Sequence, residues 1–313
     1  MTADARRGAL LMTYGSPASL DREGIRAYLA RVRRGREPEA DLVDEFTRRY
    51  QLIGGSPLIE ITGAQAAAVE DVLGWPVEAG MRFSEPSIET ALSRLVERGA
   101  STVAAIVLSP QFSPLLMGGY AAAIDDARKR LGASAPDVVL AGSWHDQPAF
   151  IDALAGRLRS ALDNVTGHAG ARAAVLMTAH SLPRRVAEQE PEYLEQLRAT
   201  AVAVGAAAGL DESDWTFCWQ SAGHEPGEWM QPDFADLMPE IAASGASAVI
   251  VVPVQFLADH LETLYDIDIG AREQAERAGL AFHRIRSLNA DAGLADALAS
   301  VARETLGPVL AAS

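Results

Sequence analysis

Apolar residues along this chain fall into two kinds of block. Short, continuously apolar runs end at Gly, Pro or Ser, and between them lie longer stretches whose apolar positions recur every three or four residues. The first kind predicts strands covered on both faces, the second the helices that cover them. Leu10–Tyr14 reads as a strand that stops at Gly15-Ser16-Pro17. Helices are predicted over 21–36, 41–50 and 62–73, then a strand over 77–83 and a helix over 88–98 closed by Gly99. Strands follow at 103–108 and 137–143. The second half runs through the same order: strand 175–179, helix 191–208, strand 215–220, helix 234–243 and strand 248–252.

The repetition reaches individual residues. ALLMTYGSP at 9–17 echoes AVLMTAHSLP at 174–183, and RGASTVAAIVLSPQF at 98–112 echoes SGASAVIVVPVQF at 244–256. Strands alternating with helices give parallel βαβ units, so two matched sets predict two similar α/β domains. The expected division is 1–148, 149–286, and a C-terminal helix within 287–313 that packs back on the first domain. Ligands of open α/β sheets sit at the carboxyl ends of strands. The echo puts Tyr14 and Ala179-His180 at equivalent points on the two sides of a cleft.

His180 ends an apolar strand, which suits a working histidine, although a satisfied turn histidine fits that stretch equally well. The segment 258–268, ADHLETLYDID, follows another strand end. On a helix, Glu262 and Asp266 share one face while Asp268 falls with Leu261 and Leu264. Such a pair accepts protons or guides a divalent cation; the alternative, acids enriched in a first helical turn to suit the dipole, explains Asp259 better than Glu262 and Asp266. Eight arginines against six acids between 22 and 49 form a locally positive segment in an otherwise acidic chain. It is either a solvated face or a set of planar forks for carboxylates. Gly54-Gly55 follows a helix and lacks a third glycine, and no Gly-x-Ser-x-Gly elbow is present, so neither a nucleotide loop nor that hydrolase site is expected.

Composition narrows the field further. With 313 residues, 49% of them hydrophobic, the chain can bury a large core. A net charge of −15 argues against nucleic acid and anionic membranes as partners. Cys218 is the single cysteine, which excludes an internal disulfide and the thiolate set of an iron–sulfur cluster. No apolar run approaches a membrane span, and a cytoplasmic protein is expected.

Taken together, TAHSLP (178–183), WQSAG (219–223), ADHLETLYDID (258–268), RRYQLIGGSPL (48–58) and GMRFSEP (80–86) resemble the ferrochelatase family along almost the whole chain. Tyr14 in MTYGSP and the arginine-rich RVRRGREP at 31–38 are most similar to its bacterial coproporphyrin III branch. The resemblance implies two Rossmann-like domains with a porphyrin cleft between them, the chelatase fold. It implies a lyase of haem biosynthesis that forms nitrogen–metal bonds, inserting Fe²⁺ into coproporphyrin III with loss of two protons. His180 and Glu262 match the metal-entry face, with Asp266 as a relay. Tyr14 matches the opposite face, where it can ligate the product iron. Arg33, Arg49, Ser56 and Tyr120 match propionate positions, and Tyr50 lies beside them. Fe²⁺ is then a substrate, with no tightly bound cofactor. A monomer in transient contact with neighbouring haem-pathway enzymes is implied.

Chemistry supports the match. Metal insertion strips water from a cation, removes two N–H protons and bends a flat ring, and a histidine backed by a carboxylate can act as base or as first metal ligand. That choice stays open, as do protoporphyrin IX as substrate and a non-catalytic tetrapyrrole carrier. Two departures stand out. Gly270 occupies the place of a further acid one turn beyond Asp266, with Glu273 nearby. Leu115–Met117 is unusually apolar for a loop, a lip over the porphyrin, a docking point or simple packing.

Overall fold

The computed structural model describes residues 6–166, 172–223 and 227–311. Strands β1 (Arg7–Thr13), β2 (Val77–Met81), β3 (Thr102–Val107) and β4 (Asp137–Leu140) form a parallel sheet in the order β2-β1-β3-β4. Strands β5 (Ala173–His180), β6 (Trp215–Gln220), β7 (Ala248–Pro253) and β8 (Ala281–Arg284) form a second parallel sheet in the order β6-β5-β7-β8. These orders are one permutation used twice, so the repeat in the sequence is a repeat in topology. Even single hydrogen bonds recur. Leu108 N donates to Met12 O as Val254 N donates to Thr178 O, and the Arg6 and Arg172 carbonyls each receive two amides from the equivalent turn.

Helices cover both sheets, and β3 and β7 are buried at every position, as continuously apolar parallel strands require. The first half carries α1 (Arg22–Val32), α2 (Ala40–Leu52), α3 (Leu58–Leu73), α4 (Ile88–Glu97) and α5 (Pro114–Leu131). Then come α6 (Pro148–Thr166), the single turn α7 (Arg184–Ala187), α8 (Pro191–Ala208), α9 (Phe234–Ala243), α10 (Arg272–Arg277) and α11 (Ala292–Ala311). The largest apolar cluster runs through both halves, from Leu11 and Ile106 by way of Leu154, Val204 and Leu298 to Met177 and Ile250. α11 packs against α3, α6 and β3. Among the described residues no helix is long and apolar enough to cross a membrane.

Four differences from expectation bear on the site. α1 stops at Val32 because Arg34 (φ 59°) and Gly35 (φ 84°) turn left-handed, which carries Arg33, Arg34 and Arg36 off the helix. α3 begins at Leu58, ahead of the predicted 62. Residues 114–131 are helical, so Leu115–Met117 is not a loop. Met117 is buried, and Leu116 packs against Ala179, Leu182 and Trp219 of the second half, leaving only Leu115 exposed. The helix expected over 258–268 is instead a π-helix over Glu262–Ala271, reached through an irregular segment after β7.

Candidate active site

β5 delivers His180 as its last residue, where the backbone N–H donates to Gln255 Oε1 at 2.8 Å. Gln255 lies in the turn after β7, so this bond ties the two strand ends together, and the Gln255 amide donates to the Tyr193 hydroxyl on α8. The imidazole Nδ1 is hydrogen-bonded to the Ser181 carbonyl. A carbonyl only accepts, so Nδ1 carries the hydrogen and Nε2 keeps its lone pair in the neutral ring. That Nε2 stands 3.6 Å from Glu262 Oε1. His260 repeats the arrangement from the other side. Its Nδ1 donates to Ala258 O at 2.9 Å, and its Nε2 lies 3.8 Å from Glu262 Oε2. The Phe256 ring, 4.6 Å away edge to face, helps fix the His260 plane. Glu262 is therefore held between two imidazoles, each oriented by a backbone carbonyl.

Electrostatics separate the two acids of this face. Burial pushes Glu262 up, but the His180 charge and the His260 hydrogen bond and charge outweigh it, leaving the carboxyl below its ordinary 4.5. Burial likewise opposes a charged His260, and Glu262, the Ala258 carbonyl and Asp266 reverse the sign, raising it above 6.5. Asp266 moves the other way. Its burial and the Glu262 charge prevail over Ser221, Arg49 and His180, so it is raised above 3.8. Neighbouring groups pushed in opposite directions can take different parts in proton handling. A π-helix bonds i to i+5 and turns in about 4.4 residues, so Glu262, Asp266 and Gly270 lie close to one line. The acidic row therefore ends at Asp266.

The opposite face of the π-helix is anchored. Arg284 on β8 forks onto Asp268, Nε to Oδ1 at 2.7 Å and Nη2 to Oδ2 at 2.8 Å, and Nη2 also reaches Asp259 Oδ1 at 3.1 Å. Asp259 further accepts from Ser287 Oγ at 2.7 Å and Asn289 Nδ2 at 2.9 Å. One guanidinium thus holds the residues on either side of His260, Glu262 and Asp266.

The first half brings aromatic groups to the site. Tyr14, just beyond β1, is 43% exposed, and its ring meets Phe83 edge-on at 4.6 Å. It lies within reach of the Glu262 charge, and burial raises its phenol above the ordinary 10.0 against the pull of Arg82. Gly15 allows this placement. It has φ 92°, and a Cβ there would sit 2.6 Å from Ser84 Oγ. The Arg82 guanidinium lies over the rings of Phe83 and Tyr120, in space that any side chain at Gly119 would fill. Tyr120 and Tyr50 are buried, and Tyr50 feels the Glu262 charge. Arg33 ion-pairs with Glu39 beyond α1, and Ser56 Oγ accepts from Leu58 N at 3.4 Å at the start of α3. The positive segment is less bare than its composition implies. Arg22 pairs with Asp44, Arg26 with Glu23 and Glu37, and Arg48 and Arg49 with Glu45.

Three participants escaped sequence reasoning. His260 stands two residues before Glu262 in the quoted motif, a signal that was legible. Arg82 lay within GMRFSEP without an evident partner. Nothing local marks Arg284.

Two matched four-stranded parallel sheets flanked by helices make this an α/β protein of the chelatase fold. The solved structure of SirB from Bacillus subtilis with Fe3+ shares that fold, with a TM-score of 0.60 at 13% identity over 96% of this chain and 95% of its own. The chain belongs to the ferrochelatase family, whose model, described as Ferrochelatase, matches residues 6–306. Coproporphyrin III ferrochelatase of Geobacillus sp. (strain WCH70) is 34% identical over 308 residues, covering 96% of this chain and 97% of its own. Ferrochelatase of Deinococcus radiodurans is 36% identical over 300 residues, or 94% of each chain.

Proposed function

We propose that this protein inserts Fe²⁺ into coproporphyrin III to give coprohaem and two protons. The observation that carries the reading is Glu262 set between the Nε2 atoms of His180 and His260, with the Tyr14 phenol within reach of its charge. A porphyrin between them presents one face to a base and metal-ligand pair and the other to a phenol. Glu262 stays anionic near neutral pH, and with His180 Nε2 it draws the cation toward the ring or takes up a pyrrole proton. Asp266, with its raised affinity for protons, is placed to receive them next. Tyr14 supplies an oxygen for the product iron, a known haem ligand type.

Arg33, Arg49, Tyr50, Ser56 and Tyr120 complete the reading as the propionate side, where four carboxylates need cationic forks and hydroxyls. Coproporphyrin is favoured over protoporphyrin because relatives such as the Geobacillus protein carry that substrate in their names, while the Deinococcus protein is named for ferrochelatase alone. In this scheme Fe²⁺ is cargo, no resident cofactor is required, and the enzyme works as a cytoplasmic monomer.

The deciding experiment gives the purified protein Fe²⁺ with coproporphyrin III or with protoporphyrin IX and follows the Soret shift anaerobically. Faster metallation of coproporphyrin is expected. Equal rates, or preference for protoporphyrin, refute the substrate assignment, and metallation of neither refutes the activity.

A further inference from the structure

Arg49 joins the two halves of the molecule. It lies on α2, its side chain is 21% exposed, and Nε donates to Glu45 Oε1 of its own helix at 2.7 Å. Nη1 crosses to Asp266 Oδ1 on the π-helix at 3.4 Å. The guanidinium rests 4.9 Å from the Tyr265 ring centroid, whose hydroxyl in turn accepts from Arg48. Arg48, Arg49, Tyr265 and Asp266 therefore form a clasp between the two halves.

The clasp is uneven. Charge-assisted N–H···O contacts are normally about 2.7–2.9 Å, so Glu45 is a full partner of Arg49 and Asp266 a loose one. Arg49 Nη2 makes no hydrogen bond among the described residues. Asp266 also has somewhere else to go. Ser221, held at φ 57° next to it, keeps a buried hydroxyl that lacks a well-formed hydrogen bond. With one long ion pair to Arg49 and the Ser221 hydroxyl already beside it, the Asp266 carboxylate is only loosely held by Arg49.

We propose that Asp266 occupies Arg49 before substrate binds, as a stand-in for a substrate carboxylate. A porphyrin propionate arriving at Arg49 displaces it toward Ser221. This rests on the reading above, in which Arg49 meets a propionate, and adds that the propionate must win Arg49 from Asp266. The propionate thereby frees an acid on the metal face, beside Glu262. A porphyrin without a carboxylate at that corner leaves the clasp shut, so Asp266 contributes to specificity through Arg49.

Titration of metal-free coproporphyrin III and of its tetramethyl ester by fluorescence quenching tests this on wild type, Asp266→Asn, Arg49→Gln and the double variant. Circular dichroism checks that each is folded, and Asp266→Ser stands in if the Asn variant is not. Losing a competing pair of this exposure is expected to tighten binding of the acid by about fivefold. The ester should not respond, and in the Arg49→Gln background the Asp266 change should have less than about a twofold effect. An equal gain without Arg49 means general charge repulsion and overturns the proposal, as does no gain in either background. If the wild type binds no coproporphyrin, the functional reading itself fails, a result distinct from both.

Discussion

Replacing Arg284 by Met separates the π-helix from the sheet that supports it. The methionine keeps the apolar stem and removes the fork that makes two bonds to Asp268 and one to Asp259. Asp259 retains Ser287 and Asn289, so the stranded group is chiefly the Asp268 carboxylate. Breaking a fully buried ion pair from one side costs about 3–5 kcal/mol. Here the side chains of Arg284, Asp259 and Asp268 are 10%, 23% and 27% exposed, so water recovers part of the loss. We expect about 2–3 kcal/mol, which for a chain of this size lowers Tm by about 5–10 °C. Calorimetry or thermal circular dichroism reads this directly. Adding Asp268→Asn to Arg284→Met removes the unpaired charge and should restore about half of the loss. The functional signature differs from that of general damage. Below the melting range, metal insertion should fall severalfold while porphyrin affinity holds, because only the segment carrying His260, Glu262 and Asp266 is loosened. A Tm within about 1 °C of wild type, or no recovery from Asp268→Asn, would refute the clamp.

Three further outcomes are expected. His180→Ala should bind coproporphyrin as the wild type does, by fluorescence titration, and insert metal about 10²–10⁴ times more slowly, the usual range for lost acid–base help; undiminished turnover removes His180 from the chemistry. Burial raises the Asp259 carboxyl, but Asn289, Ser287 and Arg284 prevail and hold it below the ordinary 3.8. Its stabilisation is therefore complete above that value and lost as pH falls through the folded pKa. The Tm gap between wild type and Asp259→Asn should accordingly stay constant from about pH 7 to 5 and close in stronger acid, and a gap that widens in acid contradicts the assignment. Gly119→Val should evict Arg82 from its place over Tyr120, and the phenol of Tyr14, deprived of that cation, should titrate higher in an ultraviolet difference titration.

How far such expectations were legible in the sequence depends on what each element uses to define itself. α8, β6 and α9 match their predicted bounds because a proline, an aromatic run and a glycine stop mark them locally. α5 and α6 went unpredicted. Gly118-Gly119 and Gly156 interrupt alanine-rich stretches whose apolar stripe is faint, and both helices are held by tertiary packing rather than by propensity. The π-helix was hidden for a different reason. Spacing of four puts Glu262 and Asp266 on one face of either helix type, so the correct pairing was reached from the wrong geometry.

The repeat explains why this fold can hold chemistry with two unlike faces. Both halves supply the same strand order and the same turn amides, yet the residues at the equivalent strand ends differ. One carries a phenol backed by Phe83 and Arg82, the other an imidazole backed by Glu262. The glutamines that follow the paired strands have diverged as well. Gln255 holds the His180 amide within its own half, whereas Gln111 crosses to Thr200 and the Val254 carbonyl. A duplicated scaffold alone would offer a flat ligand the same groups on each side. Substitution at the strand ends puts a phenol with an arginine on one side and an imidazole with a carboxylate on the other. The crossing glutamine ties the strand ends of the two halves to each other. Exchanging Tyr14 for His should therefore give a site that ligates metal from either face and discriminates poorly between them.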